Sequence, residues 1–301
     1  MTKPLGDLSR KWARRIERAR ELAGQYPFAT EVLTFYSKLA AFQQDSHSRL
    51  QSTLGSTKAG AFPAQLPPEL NPSVIKALMP RFRPFLSFLG REGPLAMAGF
   101  AAGLEKSDPA DWTQLLRRYW RRNGCDRKVP DGVDQGAGER LQSKAGDESS
   151  DEGFRSFTAL AILQPYAEYL ALRADMPARE VRRPICPFCG SRPLPGVLRP
   201  EGEGAKRSLI CSFCFTEWDY LRIACPACEE SRDEKMCVYT AAKFELVRVE
   251  ACETCKTYVK TVDLTKNGLA IPEVDELAAS PLSLWADDQG YMKISRNIFN
   301  S

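Results

Sequence analysis

Apolar side chains recur at helical spacing along residues 1–129. Trp12, Ile16, Ala19 and Ala23 make one stripe in an arginine-rich segment. Val32, Phe35, Tyr36, Leu39 and Phe42 make a second behind Thr30, a residue suited to cap it. Gly and Pro interrupt the pattern over 54–72, which reads as loop. Helical spacing resumes over 74–89, where Pro80 and Pro84 predict a break into two short helices. Residues 95–104 are small and apolar and predict a buried helix. Asp108 followed by Pro109 opens another, carrying Trp112, Leu115, Leu116, Tyr119 and Trp120. From 130 to 153 large apolar side chains nearly vanish. Such a segment cannot bury enough surface to offset its ordering entropy, so a flexible loop is expected. A last long helix is predicted over 154–176 and packs back onto the others.

Beyond residue 180 the pattern changes to short strand-like runs around paired cysteines. The pairs are Cys186/Cys189, Cys211/Cys214, Cys225/Cys228 and Cys252/Cys255. The first and third pairs are offset by 39 residues and the second and fourth by 41, which marks an internal repeat. A CxxC turn points two thiolates at one centre, and two such turns complete a tetrahedral sulfur shell. The 21 or 23 residues between the pairs of each module suffice for a hairpin, with Gly202 and Gly204 at the first turn. The repeat therefore predicts one site from Cys186, Cys189, Cys211 and Cys214 and another from Cys225, Cys228, Cys252 and Cys255. The short step from Cys214 to Cys225 also allows the middle pairs to join, an arrangement that breaks the repeat. Cys125 and Cys237 stand alone and read as plain thiols.

The expected organisation is a helical domain over 1–180, metal modules over 181–222 and 223–270, and a tail over 271–301 that docks on the body. The fold class is α+β: an N-terminal helical domain followed by two tandem small β modules of rubredoxin-like or zinc-ribbon-like type.

Composition narrows the function. The chain has 301 residues, 43% of them hydrophobic, and a net charge of +4. That charge is small for this length and does not suggest a nucleic-acid partner. The longest apolar run, 94–104, is about half of what crosses a bilayer, so no membrane insertion is expected. Residues 1–30 lack a signal-peptide core, and a cytoplasmic protein is expected. In a reducing compartment paired cysteines are metal ligands or redox pairs, and no βαβ unit accompanies them here. A tetrathiolate site suits zinc or iron, and spacing does not separate the two. His47, the only histidine, reads as an exposed, incidental residue. No phosphate-binding glycine loop is present, and four thiolates close a metal shell, so an enzyme is not expected. The arginine clusters at Arg14–Arg20, at Arg81 and Arg83, and at Arg117–Arg122 read as solvated helix faces, with an acidic partner as the alternative. The acidic runs 147–152 and 229–234 read as loop charge, or as a seat for a basic peptide.

CPFCGSRP at 186–193, SLICSFCFTEW at 208–218, RIACPACEE at 222–230, RVEACETCKTYVKTVD at 248–263 and PEVDELAASPLSLWADDQGY at 272–291 resemble the FdhE-type formate dehydrogenase accessory (formation) proteins. The resemblance implies a cytoplasmic factor that binds the catalytic subunit of respiratory formate dehydrogenase before export and is needed for its assembly. It implies iron in two mononuclear tetrathiolate sites, with zinc as the alternative, and the helical domain is then expected to orient the modules or mediate self-association. The knuckles are expected to meet the client through exposed Phe188, Phe213 or Phe215. Two other readings are a rubredoxin-like electron carrier and a zinc-ribbon nucleic-acid binder. The nearly balanced charge of residues 186–255 opposes the last.

Overall fold

The first two helices form where the apolar stripes predict them, α1 over Gly6–Gln25 and α2 over Thr30–Leu54. Thr30 begins α2 rather than capping it, and its hydroxyl donates to Ala23 O at 2.8 Å. Trp12, Ile16, Ala19 and Leu22 of α1 bury against Leu33, Tyr36 and Ala40 of α2. This computed structural model describes residues 6–55, 66–123, 148–174 and 182–299. Contacts divide the chain into two units, Met1–Leu66 with Gln164–Ser301, and Pro67–Leu163.

The smaller unit holds α3 (Pro72–Glu92), α4 (Leu95–Glu105), α5 (Pro109–Asn123) and the first part of α6 (Glu148–Arg173). The break predicted at Pro80 and Pro84 does not occur; α3 is one helix. Both prolines sit one turn apart on the exposed face, where water can serve the carbonyls that lose a partner. The opposite face buries Leu78, Phe82, Phe85, Leu86 and Leu89, which holds the helix together. Asn71 caps it, accepting from Ser73 N at 2.8 Å. Phe82 stacks on Trp112 with ring centres 4.8 Å apart. Helix α4 is not the buried helix expected: Met97, Ala101 and Leu104 are covered, whereas Leu95 is 91% exposed. The predicted loop lies largely outside the described residues, and α6 begins at Glu148, inside its expected bounds. Among the described residues no helix is long and apolar enough to cross a membrane.

In the larger unit the repeat becomes a sheet. The first module supplies β1 (Pro193–Glu201), β2 (Gly204–Cys211) and β3 (Glu217–Asp219). The second supplies β4 (Met236–Tyr239), β5 (Val247–Cys252) and β6 (Thr257–Asp263). Gly202, with φ of 55°, turns the first hairpin, as the sequence predicts. The strands run β3-β2-β1-β6-β5-β4, with β7 (Met292–Lys293) also paired to β6. The modules thus join through one parallel seam, β1 on β6. Gly196 faces Thr261 across it, and a Cβ there would lie 2.4 Å from Thr261 Oγ1, so the seam needs glycine.

The tail forms α7 (Pro272–Ala278) and α8 (Ser280–Asp288). Leu282 and Ala286 of α8 cover the sheet residues Val247, Val249, Ala251 and Val262. Val274, Leu277 and Ala278 of α7 join the core of α1 and α2. Each carboxylate of α7 meets a buried cation. Glu273 accepts from Arg15 Nε at 2.5 Å, and Asp275 from Arg18 Nη2 at 2.5 Å. Glu276 lies 2.9 Å from Lys260 Nζ and also pairs with Lys293. Arg15 additionally grips Glu168 of α6 in a fork at 2.9 and 3.0 Å. Arg15 and Arg18 are therefore buried ion-pair members, not the solvated face expected, whereas Arg14 and Arg20 are exposed. Burial opposes ionisation of Glu276, but Lys260 and Lys293 prevail and hold it down to about 2.

His47 also corrects the sequence reading. It is 3% exposed, inside α2 and beside the Tyr169 ring at 5.9 Å. Burial lowers its pKa below the ordinary 6.5, with Arg173 and Arg15 adding to this and Glu168 opposing it. The unfolded chain then takes up a proton at higher pH than the folded one, and stability falls as pH drops from about 6.5 through the lowered value. His47→Gln is expected to remove that acid slope in urea-unfolding midpoints measured from neutral to mildly acidic pH. Arg15→Met leaves Glu168 and Glu273 buried without their cation. It is expected to cost about 3–5 kcal/mol in the same assay at neutral pH.

Candidate metal centres

Four tight turns carry the cysteine pairs, and all four share one backbone device. The residue after the second cysteine is left-handed each time: Gly190 at φ 72°, Phe215 at 54°, Glu229 at 59° and Lys256 at 54°. That conformation folds the chain back. Gly190 N donates to Cys186 O, Glu229 N to Cys225 O and Lys256 N to Cys252 O, each at 2.9 Å. Backbone N–H groups also reach sulfur: Phe213 N and Cys214 N lie 3.3 and 3.4 Å from Cys211 Sγ, and Ala227 N lies 3.4 Å from Cys225 Sγ. Such donors stabilise a thiolate. Only one turn uses glycine for a conformation that costs other residues about 1–2 kcal/mol.

The hairpins bring the turns together by module. Cys186, Cys189, Cys211 and Cys214 form one group and Cys225, Cys228, Cys252 and Cys255 the other, with the sulfurs of each group within 4.8 Å of one another. The interleaved pairing does not occur. Sulfur–sulfur distances are 3.6 Å for Cys186–Cys214, 3.3 Å for Cys189–Cys211, 3.6 Å for Cys225–Cys255 and 3.7 Å for Cys228–Cys252. All are far beyond a disulfide bond of about 2.05 Å. They approach the edge of about 3.8 Å that follows for four sulfurs placed about 2.3 Å from a tetrahedral centre. The donor set and its spacing therefore fit one zinc or iron ion per group. Burial first, and neighbouring sulfurs next, push the Cys211 and Cys214 thiols up. A cation is what would make four adjacent thiolates tenable, and its binding would release protons.

A threonine recurs beside each group. Thr216 Oγ1 lies 3.1 Å from Cys214 Sγ, and Thr257 Oγ1 lies 3.0 Å from Cys255 Sγ. Sequence reasoning missed both, although the shared Cys-x-Thr step in CSFCFT and CETCKT was a visible signal. Hydroxyl donors of this kind orient ligands from outside the shell. Cys237 sits half-buried on β4 and joins neither group, and Cys125 lies outside the described residues. Among the described residues no third cluster of metal-ligating side chains occurs.

The expected exposed aromatics are not exposed. Phe188 and Phe213 are each 2% exposed and belong to the core. Phe215 is half-buried, and the Arg15 guanidinium lies 4.2 Å from its ring centre. Small modules with little core of their own bury large side chains wherever they can.

Comparison with known proteins agrees with this architecture. Residues 185–222 match the family model described as the FdhE central domain, and residues 223–299 that of the FdhE C-terminal domain. A "Protein FdhE homolog" of Aquifex aeolicus is 33% identical over 49% of this chain and 52% of its own length. One from Edwardsiella ictaluri is 28% identical over 98% of this chain and 90% of its own. The crystal structure of the FdhE protein from Pseudomonas aeruginosa superposes with a TM-score of 0.60 at 21% identity, covering 96% of this chain and 95% of that one.

The turn geometry makes opposite demands at equivalent positions. Gly190→Val forces a branched side chain into the left-handed region and is expected to destabilise the first group, whereas Glu229→Gly removes that strain from the second. Each change is expected to be on the order of 1 kcal/mol in thermal unfolding, with opposite signs.

Proposed function

We propose that this chain, a member of the FdhE family, is an accessory factor that binds the catalytic subunit of a respiratory formate dehydrogenase in the cytoplasm and is needed for its assembly. Cys186, Cys189, Cys211 and Cys214 hold one ion, and Cys225, Cys228, Cys252 and Cys255 hold another. Iron is the favoured occupant and zinc the alternative. Bound iron would supply one-electron chemistry, and bound zinc a structural clip.

The observation that carries the proposal is the pair of closed four-cysteine groups inside the two segments that match the family's domains. A shell of four protein sulfurs offers a substrate no vacant position, which supports a binding role rather than formate turnover. The buried Phe188 and Phe213 withdraw the aromatic contact first expected, and the client would meet the polar outer faces of the turns. Rigid turns of this kind lose little entropy on binding.

An electron-transfer role is the second reading, favoured by the exposure of Cys228, which brings one centre to the surface. Capture of the precursor catalytic subunit by the immobilised full chain separates the two. Wild type is expected to retain the precursor, and paired Cys→Ser variants in either module to retain less than about a tenth as much, a loss of at least 1.4 kcal/mol. No capture by wild type, together with reversible redox cycling of bound iron, would favour the electron carrier.

A further inference from the structure

The two cysteine groups share their turns and hairpins but differ in what covers them. All four cysteines of the first group are buried. Its turns are also roofed by distant segments: Leu66 N donates to Phe188 O at 2.8 Å, and Gln164 Nε2 donates to Ser212 O at 3.4 Å. In the second group Cys225 and Cys252 are buried, Cys255 is half-buried and Cys228 is exposed. The flanking Glu229 is exposed as well, and Ala227 is half-buried. The equivalent of Cys228 in the first module is Cys189, which is 2% exposed. Both are followed by a left-handed residue, so local turn geometry does not cause the difference. Among the described residues the turns of the second group are also met by other segments, Lys256 O accepting from Met292 N at 2.8 Å and Cys225 O from the Tyr220 hydroxyl at 3.2 Å, but these contacts leave Cys228 exposed.

Exposure decides whether a sulfur ligand can be replaced. An incoming donor must approach the ion or its leaving sulfur, and buried thiolates are shielded from both routes. We propose that the second group is an exchangeable site, in which Cys228 is the arm that opens to an external thiol while the first group stays shut. Cys228 Sγ leaves the ion as the sulfur of the incoming thiol binds, and the proton of that thiol passes to Cys228 Sγ. The oxidation state of the ion does not change. The inference rests on both groups holding metal, and it assigns them different tasks: one fastens the module, and the other offers a soft-ligand docking point.

The test uses the full chain loaded with zinc in both groups. Release is followed with the chromogenic chelator 4-(2-pyridylazo)resorcinol, with and without dithiothreitol as the external thiol. One ion is expected to leave at least about tenfold faster than the other, and dithiothreitol to speed the fast phase alone. Cys228→Ser is expected to abolish the fast phase and keep the slow one, and Cys189→Ser to do the reverse. Brief iodoacetamide treatment of the zinc-loaded wild type, read by peptide mass spectrometry, is expected to label Cys228 before any other paired cysteine. Release of both ions at one rate, or labelling of Cys189 ahead of Cys228, would overturn the proposal. Failure of the wild-type chain to take up any metal would instead overturn the metal reading beneath it, and this inference with it.

Discussion

Helix α7 is seven residues long and carries three carboxylates, Glu273, Asp275 and Glu276, each aimed at a buried cation on another element of the fold. Arg15 and Arg18 come from α1, Lys260 from the seam strand β6, and Lys293 from β7. A helix this short has little stability of its own, so its place is set by what it grips. Removing water from these charges is costly, and the pairing is favourable only because nearly every partner is satisfied. Lys260 shows how far that goes: besides Glu276 it donates to the carbonyls of Glu276 at 2.7 Å and Ala279 at 3.1 Å. The network fixes α1 and the C-terminal helices to the sheet that bears both cysteine groups.

That arrangement serves the cysteine groups in turn. Small sulfur-rich hairpins bury too little apolar surface to be rigid alone. Here the sheet gains a second layer from α8, and the two modules stiffen each other through the β1–β6 seam. The seam is not a twofold joint, because the strand of one module equivalent to β4 meets the strand of the other equivalent to β3. The repeat is copied in each module's local geometry but not in its surroundings, which is why Cys189 is sealed and Cys228 is exposed.

Much of the cysteine chemistry was legible in the sequence because it is local. CxxC spacing, the period of the repeat and Gly202 at its turn are short-range constraints, and the grouping of Cys186 with Cys214 and of Cys225 with Cys255 follows from them. The helices α1, α2 and α5 were legible for the same reason, since amphipathic spacing is a property of consecutive residues. The prolines of α3 misled because sequence shows that hydrogen bonds are lost, not that the loss faces solvent.

What the tertiary structure alone decided concerns partners far apart in the chain. Arg15 and Glu273 are 258 residues apart, and nothing near either residue reveals that one arginine of a cluster is buried while Arg14 beside it is not. His47, Phe188 and Phe213 were misplaced on the same account: a side chain's burial depends on which distant element covers it. The sequence by itself determined that eight cysteines would make two four-sulfur groups, because the turns and hairpins that assemble them are encoded within each module. Only the packing of α6, residue 66 and the sheet around those modules decided that Cys189 would be sealed and Cys228 left open, because solvent access is a property of the whole fold.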